Sequence, residues 1–303
     1  MRRWAAVMVL LVPLAGCGGR EPGSAQLTKG TLRLGCDEAV ARVIQREADE
    51  FSRLYTEARV TLQRGEAREI IADFAADSLR VIVCARALNP EERNALQAAK
   101  VEFREYEVAR TAVAVIAHPD IPVTRLRVGE LDTIFAGGQT LWPGRELIRL
   151  AVAGVNSSVT EVFRARILGR GGYDPVARAI PSSDSLIAYV AATKGAIGIV
   201  GLDGLQGKES GVNVLALATP EVRPDSTRAP GEYYTPAQAY VYLGYYPVTA
   251  PVYIYTRMVD YSLADGFIAF VTSAPGQKVF QANGLVPMTM PVRLVQLTSQ
   301  QVY

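Results

Sequence analysis

Residues 111–117 read Thr-Ala-Val-Ala-Val-Ile-Ala, an unbroken small and β-branched run closed off by Pro119 and Pro122. A run without polar alternation suits a strand covered on both faces, the kind found inside layered α/β sheets. Proline cannot donate to a ladder, so the strand stops before Pro119. Val128, Leu131, Ile134 and Phe135 then recur at helical spacing, and Gly137-Gly138 end that helix.

The chain before this run supplies the layers such a strand requires. Residues 31–35, 59–62 and 80–84 read as short strands. Between the first two, Val40, Val43, Ile44, Ala48, Phe51 and Leu54 fall on one helical face, with Asp37 placed to cap the helix. Ile70, Ile71 and Phe74 mark a second amphipathic helix. Asn89-Pro90-Glu91-Glu92 is a helix start: a cap, a proline in the first position, and acids in the first turn. The resulting β-α-β-α-β-α order predicts an α/β fold with a parallel sheet and helices on both faces. Downstream, residues 149–153 and 195–201 read as strands. Helices follow Ser157-Ser158 and Ser182-Ser183, residues 246–255 form a second apolar segment, and two helical patterns cover 263–271 and 275–282. Residues 205–245 read as loops with short strands and several tyrosines.

At 303 residues and 49% hydrophobic content the chain can bury a large core in one or two domains. Its net charge of +2, with both signs mixed along the sequence, carries no nucleic-acid footprint. The first residues are a processing signal. Arg2-Arg3 precede a short apolar run over 4–14, too short to span a bilayer permanently. Leu14-Ala15-Gly16-Cys17 resembles the bacterial lipoprotein box, which implies cleavage after residue 16 and lipidation of Cys17. Residues 17–29 would then be a lipidated tether, anchoring the body at a membrane surface of the bacterial envelope, on its periplasmic or extracytoplasmic side. Cys36 and Cys84 remain, either as two buried thiols or, in an oxidising compartment, as a disulfide.

Four further segments carry a resemblance. They are Ile134-Phe135-Ala136-Gly137 with Trp142, Gly195-Ala196-Ile197-Gly198, Tyr246-Pro247, and Gly276-Gln277 with Gly284-Leu285-Val286-Pro287. In this order and spacing the chain resembles the phosphate-binding proteins that serve bacterial ABC importers, over nearly its whole mature length. The resemblance implies a two-lobed periplasmic-binding-protein fold with two hinge crossings. Lobe 1 would comprise residues 30–108 plus 252–303, and lobe 2 residues 109–251. It also implies a small oxyanion, phosphate favoured, held between the lobes, and an ABC importer permease as partner.

In such a cleft, helix N-termini present unpaired N–H groups and partial positive charge, so an oxyanion is the natural guest. Three stretches supply candidate N-termini: Asp37-Glu38-Ala39, Ser157-Ser158, and Ser182-Ser183. The serines also serve as ordinary helix caps. Arg86 lies where the family often has an arginine, and a planar guanidinium fork suits a tetrahedral anion. The match is incomplete. Of the family's Ser-Gly-Thr loop only Ser157 is kept, with Ser158, Val159 and Thr160 following. The first ligand loop holds Asp37 and Glu38 instead of small hydroxyl residues, and Arg80 stands where the family carries a carboxylate. Asp37 admits three roles. It can accept the proton of hydrogen phosphate, and so discriminate against sulfate. Together with Glu38 it can make the cleft acidic and exclude phosphate altogether, or it can simply cap a helix.

Nothing in the sequence assembles a catalytic set. His118, the sole histidine, sits beside Pro119 at a strand end, and no Cys/His grouping has metal-ligand spacing. Neither a cofactor nor a metal is implied. The sequence therefore points to a lipid-anchored solute receptor. The alternative is an adaptor or structural lipoprotein that kept the fold and lost its ligand, an outcome the altered loop at 157–160 favours.

Overall fold

The computed structural model describes residues 24–218, 231–257 and 262–288. The signal stretch 1–16, Cys17 and the first part of the tether lie outside the described residues, as does the chain after 288. The elements are α1 (Ser24–Leu27), β1 (Gly30–Asp37), a 3-10 turn (Glu38–Val40), α2 (Ala41–Leu54), β2 (Ala58–Gly65), α3 (Ala67–Ala75), β3 (Val81–Cys84), α4 (Pro90–Ala98) and β4 (Phe103–Ala117). There follow β5 (Arg125–Arg127), α5 (Val128–Phe135), β6 (Arg149–Val152), α6 (Ser158–Phe163) with a wider turn over Arg164–Leu168, β7 (Arg178–Ala179), α7 (Ser183–Ala192) and β8 (Ala196–Gly201). The last group is α8 (Leu202–Leu205), β9 (Asn213–Val214), β10 (Ala216–Ala218), α9 (Gln238–Tyr242), β11 (Thr249–Arg257), α10 (Leu263–Thr272), α11 (Ala274–Ala282) and β12 (Val286–Pro287).

One curled sheet runs β2-β1-β3-β11-β4-β8-β6-β7, with β9 and β12 also pairing β4. At one end β1 pairs β2 and β3 in parallel, as the alternating strand–helix order requires. At the other, β6 lies parallel to β8 and β7. Between them β4 and β11 run antiparallel. The first half of β4 pairs β11, and its second half, residues 113–117, pairs β8. β4 therefore belongs to both halves, and it and β11, which runs beside its first half, are the two crossings of a two-lobed α/β architecture.

β4 begins well before the apolar run that marks it in the sequence. Residues 103–107 alternate Phe and Tyr with Arg and Glu and are partly exposed, whereas 112–117 are buried without interruption. The strand passes from a half-covered position into a fully covered one. Gln277 ties α11 to this crossing: its Nε2 donates to Val108 O at 3.0 Å and to Val271 O at 2.8 Å.

The first lobe closes over α2. Val43, Ile44, Ala48 and Phe51 are buried, and the Phe51 ring meets Phe267 and Phe270 of α10 at 5.5 Å each. Each such side chain contributes about 1.5–3 kcal/mol of burial, so the C-terminal helices are integral to this lobe. In the second lobe Phe135, Phe163 and Tyr173 form an aromatic cluster, with the Phe135 and Phe163 rings 4.8 Å apart. Trp142 is buried and donates from Nε1 to Gly195 O at 2.9 Å, linking two of the sequence motifs. Cys36 and Cys84 are free thiols, both buried on the neighbouring strands β1 and β3. Among the described residues no helix is long and apolar enough to cross a membrane.

Candidate functional site

In open sheets with parallel strands the crevice lies beyond the strands' carboxyl ends. Here those ends bring five turns together. The first lobe supplies the turns after β1 (Asp37, Glu38, Ala39), after β2 (Glu66) and after β3 (Ala85, Arg86). The second supplies those after β6 (154–158) and before α7 (Pro181, Ser183). Glu38, Ala39, Glu66, Ser157, Val159 and Ser183 all line one small space.

Asp37 is fully buried. Its carboxylate accepts the backbone N–H of Ala39 at 3.1 Å and that of Ala85 at 3.0 Å, and the Ser158 hydroxyl from the opposite lobe. Burial pushes its pKa up, and the Ser158 hydroxyl and the two amides oppose that shift. Asp37 therefore caps the 3-10 turn Glu38–Val40 and not α2, the helix the sequence pattern assigned to it, and it takes two further donors. Glu38 is half-buried beside it, and burial raises its pKa too.

Glu66 occupies the equivalent slot after β2. Its carboxylate accepts the Asn156 N–H at 2.9 Å across the cleft. A Cβ added to Gly154 would overlap this carboxylate, so the carboxylate can take this position only with glycine there. The Arg68 N–H, in the first turn of α3, donates to Asn156 O at 3.3 Å. The cleft is shut at a third point as well. Asp203 in α8 accepts the Arg42 N–H at 2.9 Å and the Val43 N–H at 3.3 Å, capping α2 from the second lobe. Gly201 packs on the other side, where an added Cβ would come to 3.1 Å from Ala39 O.

Arg86 is buried but does not offer its fork to the cleft. Its two terminal nitrogens bind the Glu92 carboxylate at 2.7 and 2.6 Å, and Nε lies 2.6 Å from Glu161 of α6 without the angle of a hydrogen bond. Burial would lower its pKa, but hydrogen bonds to Glu92 and the charges of Glu161 and Glu92 outweigh this and hold it above the usual value. Glu161 also pairs with Arg68. Arg68, Glu161, Arg86 and Glu92 thus form a chain of alternating charge that crosses the lobes.

The serines divide by role. Ser158 is buried and donates to Asp37. Ser157 is the N-cap of α6, accepting the Val159 N–H at 3.2 Å. Ser182 is turned to α7, where it caps the helix through the Ser185 N–H and does not line the cleft. Ser183 does line it, packed against Gly204. The space left between the lobes offers about 10 Å³ for the centre of a water molecule, room for roughly one water. Two larger cavities, of about 310 and 470 Å³, lie away from this point, around Arg42 and Lys208 and around Gln139 and Tyr189. Among the described residues no cluster of His, Cys, Asp and Glu could hold a metal.

Sequence reasoning missed Glu66, Glu161 and Asp203. For Glu66 a signal existed: Gly65-Glu66-Ala67 repeats the strand-end, acid, helix-start pattern of Cys36-Asp37-Glu38. Glu161 and Asp203 had none, because their partners lie 93 and 161 residues away.

A family model described as a PBP superfamily domain matches residues 22–275. The phosphate-binding protein PstS of Staphylococcus aureus (strain bovine RF122 / ET3-1) is 20% identical over 301 residues, covering 93% of this chain and 88% of that protein. Among solved structures, one from Clostridium perfringens with bound phosphate superposes with a TM-score of 0.73 at 17% identity, covering 86% of this chain and all of that one. An ABC-type phosphate transport receptor from Vibrio cholerae gives 0.64 at 18% identity, with coverage of 86% and 100%. At these identities the superpositions establish the shared two-lobed fold.

Proposed function

The chain belongs to the PBP superfamily, and we propose that it is an extracytoplasmic solute-binding protein that captures a small oxyanion between its lobes, phosphate before others, for an ABC importer. One observation carries this reading. Where the lobes meet, the N–H groups of Ala39 and Ala85 and the Ser158 hydroxyl converge on the Asp37 carboxylate, and the Asn156 N–H is aimed at that of Glu66. Donors that gather carboxylate oxygens in this way are suited to the oxygens of phosphate. The similarity to phosphate-binding proteins of Staphylococcus, Clostridium and Vibrio supports phosphate as the anion. Closure would be a hinge motion about β4 and β11.

In this reading Ser158, Ser157, Ala39 and Ser183 face the anion, and Arg86 positions α6 through Glu161 instead of touching the ligand. Asp37, buried beside the donors, would favour a protonated phosphate over fully ionised sulfate. The Cys17 anchor would hold the protein at the membrane carrying the importer. The lobe limits near 108 and 252 would fall on β4 and β11.

A second reading rests on the 10 Å³ left in the cleft. A chain whose own carboxylates fill the site would suit an adaptor that kept the fold without its ligand. Calorimetry with phosphate, sulfate and molybdate separates the two. Phosphate binding in preference to sulfate is the expected result. No heat from any of the three, with folded protein, would favour the adaptor.

A further inference from the structure

We propose that Glu66 is a built-in occupant of the oxyanion cleft: its carboxylate takes a donor that a captured anion needs, latching the lobes shut without ligand, so that an anion enters by displacing it. The inference rests on the capture reading for its second half and on geometry alone for its first.

The geometry has three parts. Glu66 belongs to the first lobe, yet its carboxylate accepts the Asn156 N–H at the entry to α6 in the second. Gly154, two residues earlier, gives up the volume of a side chain to that carboxylate. The Arg68 N–H returns a bond to Asn156 O, so the two peptides flanking Cα of residue 156 are both held by the start of α3. What remains between Glu38, Glu66, Ser157 and Ser183 admits roughly one water. A phosphate therefore cannot enter while Glu66 stays.

Asp37 and Glu66 differ in whether they can leave. Asp37 has three donors and no exposure, which fixes it as part of the cleft wall. Glu66 is half-exposed and holds the second lobe by one amide. Turning its side chain outward would free the Asn156 N–H, open the volume above Gly154 and remove one negative charge from the anion's path. Closing on the anion would then rebuild the contacts of Arg42 with Asp203 and of Arg68 and Arg86 with Glu161. Apparent affinity is then reduced by the fraction of molecules in which Glu66 is in place.

The test compares the full chain with Glu66→Ser and Glu66→Gln. Serine caps α3 as well as glutamate does and cannot reach Asn156; glutamine keeps the size and an acceptor oxygen but not the charge. Circular dichroism checks folding, small-angle scattering reads the radius of gyration with and without phosphate, and calorimetry reads phosphate affinity. The parent protein should be as compact without phosphate as with it. Glu66→Ser should be larger without phosphate, contract on its addition, and bind it about tenfold or more tightly than the parent. Glu66→Gln should stay compact and gain affinity. Equal phosphate affinity in parent and Glu66→Ser, or a parent that is expanded until phosphate is added, overturns the proposal while leaving capture intact. Expansion of Glu66→Ser with no phosphate binding by any form upholds the latch and overturns capture.

Discussion

Asp203, on the second lobe, accepts the backbone N–H of Arg42 at 2.9 Å and so caps the longest helix of the first. The Val43 N–H joins it at 3.3 Å, and the Arg42 guanidinium reaches back to the carbonyls of Asp203, Gly204 and Gln206. Helix α2 has no capping side chain of its own at Val40. The Arg42 and Val43 N–H groups find a side-chain acceptor only when the lobes are together. Asp203→Ala should therefore cost about 1–2 kcal/mol in urea unfolding and increase the protein's radius. Asp203→Asn, which keeps the acceptor, should do neither.

Glu47 lies on the buried face of α2, and neither of its oxygens has a hydrogen-bond partner among the described residues. Burial, with a smaller push from Glu50, raises its pKa to about 9. Asp203 is likewise raised, to about 6, by burial against the opposing amides of Arg42 and Val43. A folded-state pKa above the unfolded value means that the native protein holds a proton which the unfolded chain has released. For an acid this makes stability fall as pH rises through the interval between the two values. Unfolding free energy should thus be higher at pH 5 than at pH 8. Glu47→Gln should flatten that slope and be the more stable protein at pH 8 by more than about 1.4 kcal/mol, the equivalent of one unit.

The charge chain through Arg86 should be costly to cut. Arg86→Ala strands Glu92 and leaves Glu161 with Arg68 alone, both carboxylates being largely buried, and should destabilise the fold by about 3–5 kcal/mol. Removing the outer member, Arg68→Ala, takes away a half-exposed partner and should cost about 1 kcal/mol or less. Denaturant midpoints of the two variants should fall in that order.

Gly154→Ala should act at a distance from its own backbone. The new methyl falls on the Glu66 carboxylate. The variant should lose the Glu66–Asn156 bond and melt lower than the parent. Combined with Glu66→Ser it should recover part of that loss, a coupling a double-mutant cycle reads directly.

Cys36 and Cys84 should not react in the native state. Both are buried, and burial holds each thiol well above its usual pKa, so the thiolate population is small. Alkylation followed by peptide mass mapping should find neither labelled before unfolding and both labelled after it. Labelling of either one in the native protein would contradict this burial.

The fold was largely legible from local pattern. The buried run at 111–117, the acids and caps before each helix and the alternating strand order point to a layered α/β sheet, because periodicity and capping are properties of neighbouring residues; the two crossings come only from the family resemblance. The same locality hid the first half of β4, where Arg104, Glu105 and Glu107 interrupt the apolar signal. The candidate loops were legible too, and Asp37, Glu38, Ala39, Ser157, Ser158 and Ser183 do come together. What no local pattern contained was who partners whom. Arg86 reads as an anion ligand until Glu92 and Glu161 are seen to hold it, and Ser182 reads as a donor to the cleft until Ser185 is seen to use it. Glu66 gains its meaning from Asn156, 90 residues away, and Asp203 from Arg42, 161 away. A hydrogen bond depends on a fraction of an ångström and a direction, and across lobes those are set by how the two halves pack, after every local preference has already been satisfied.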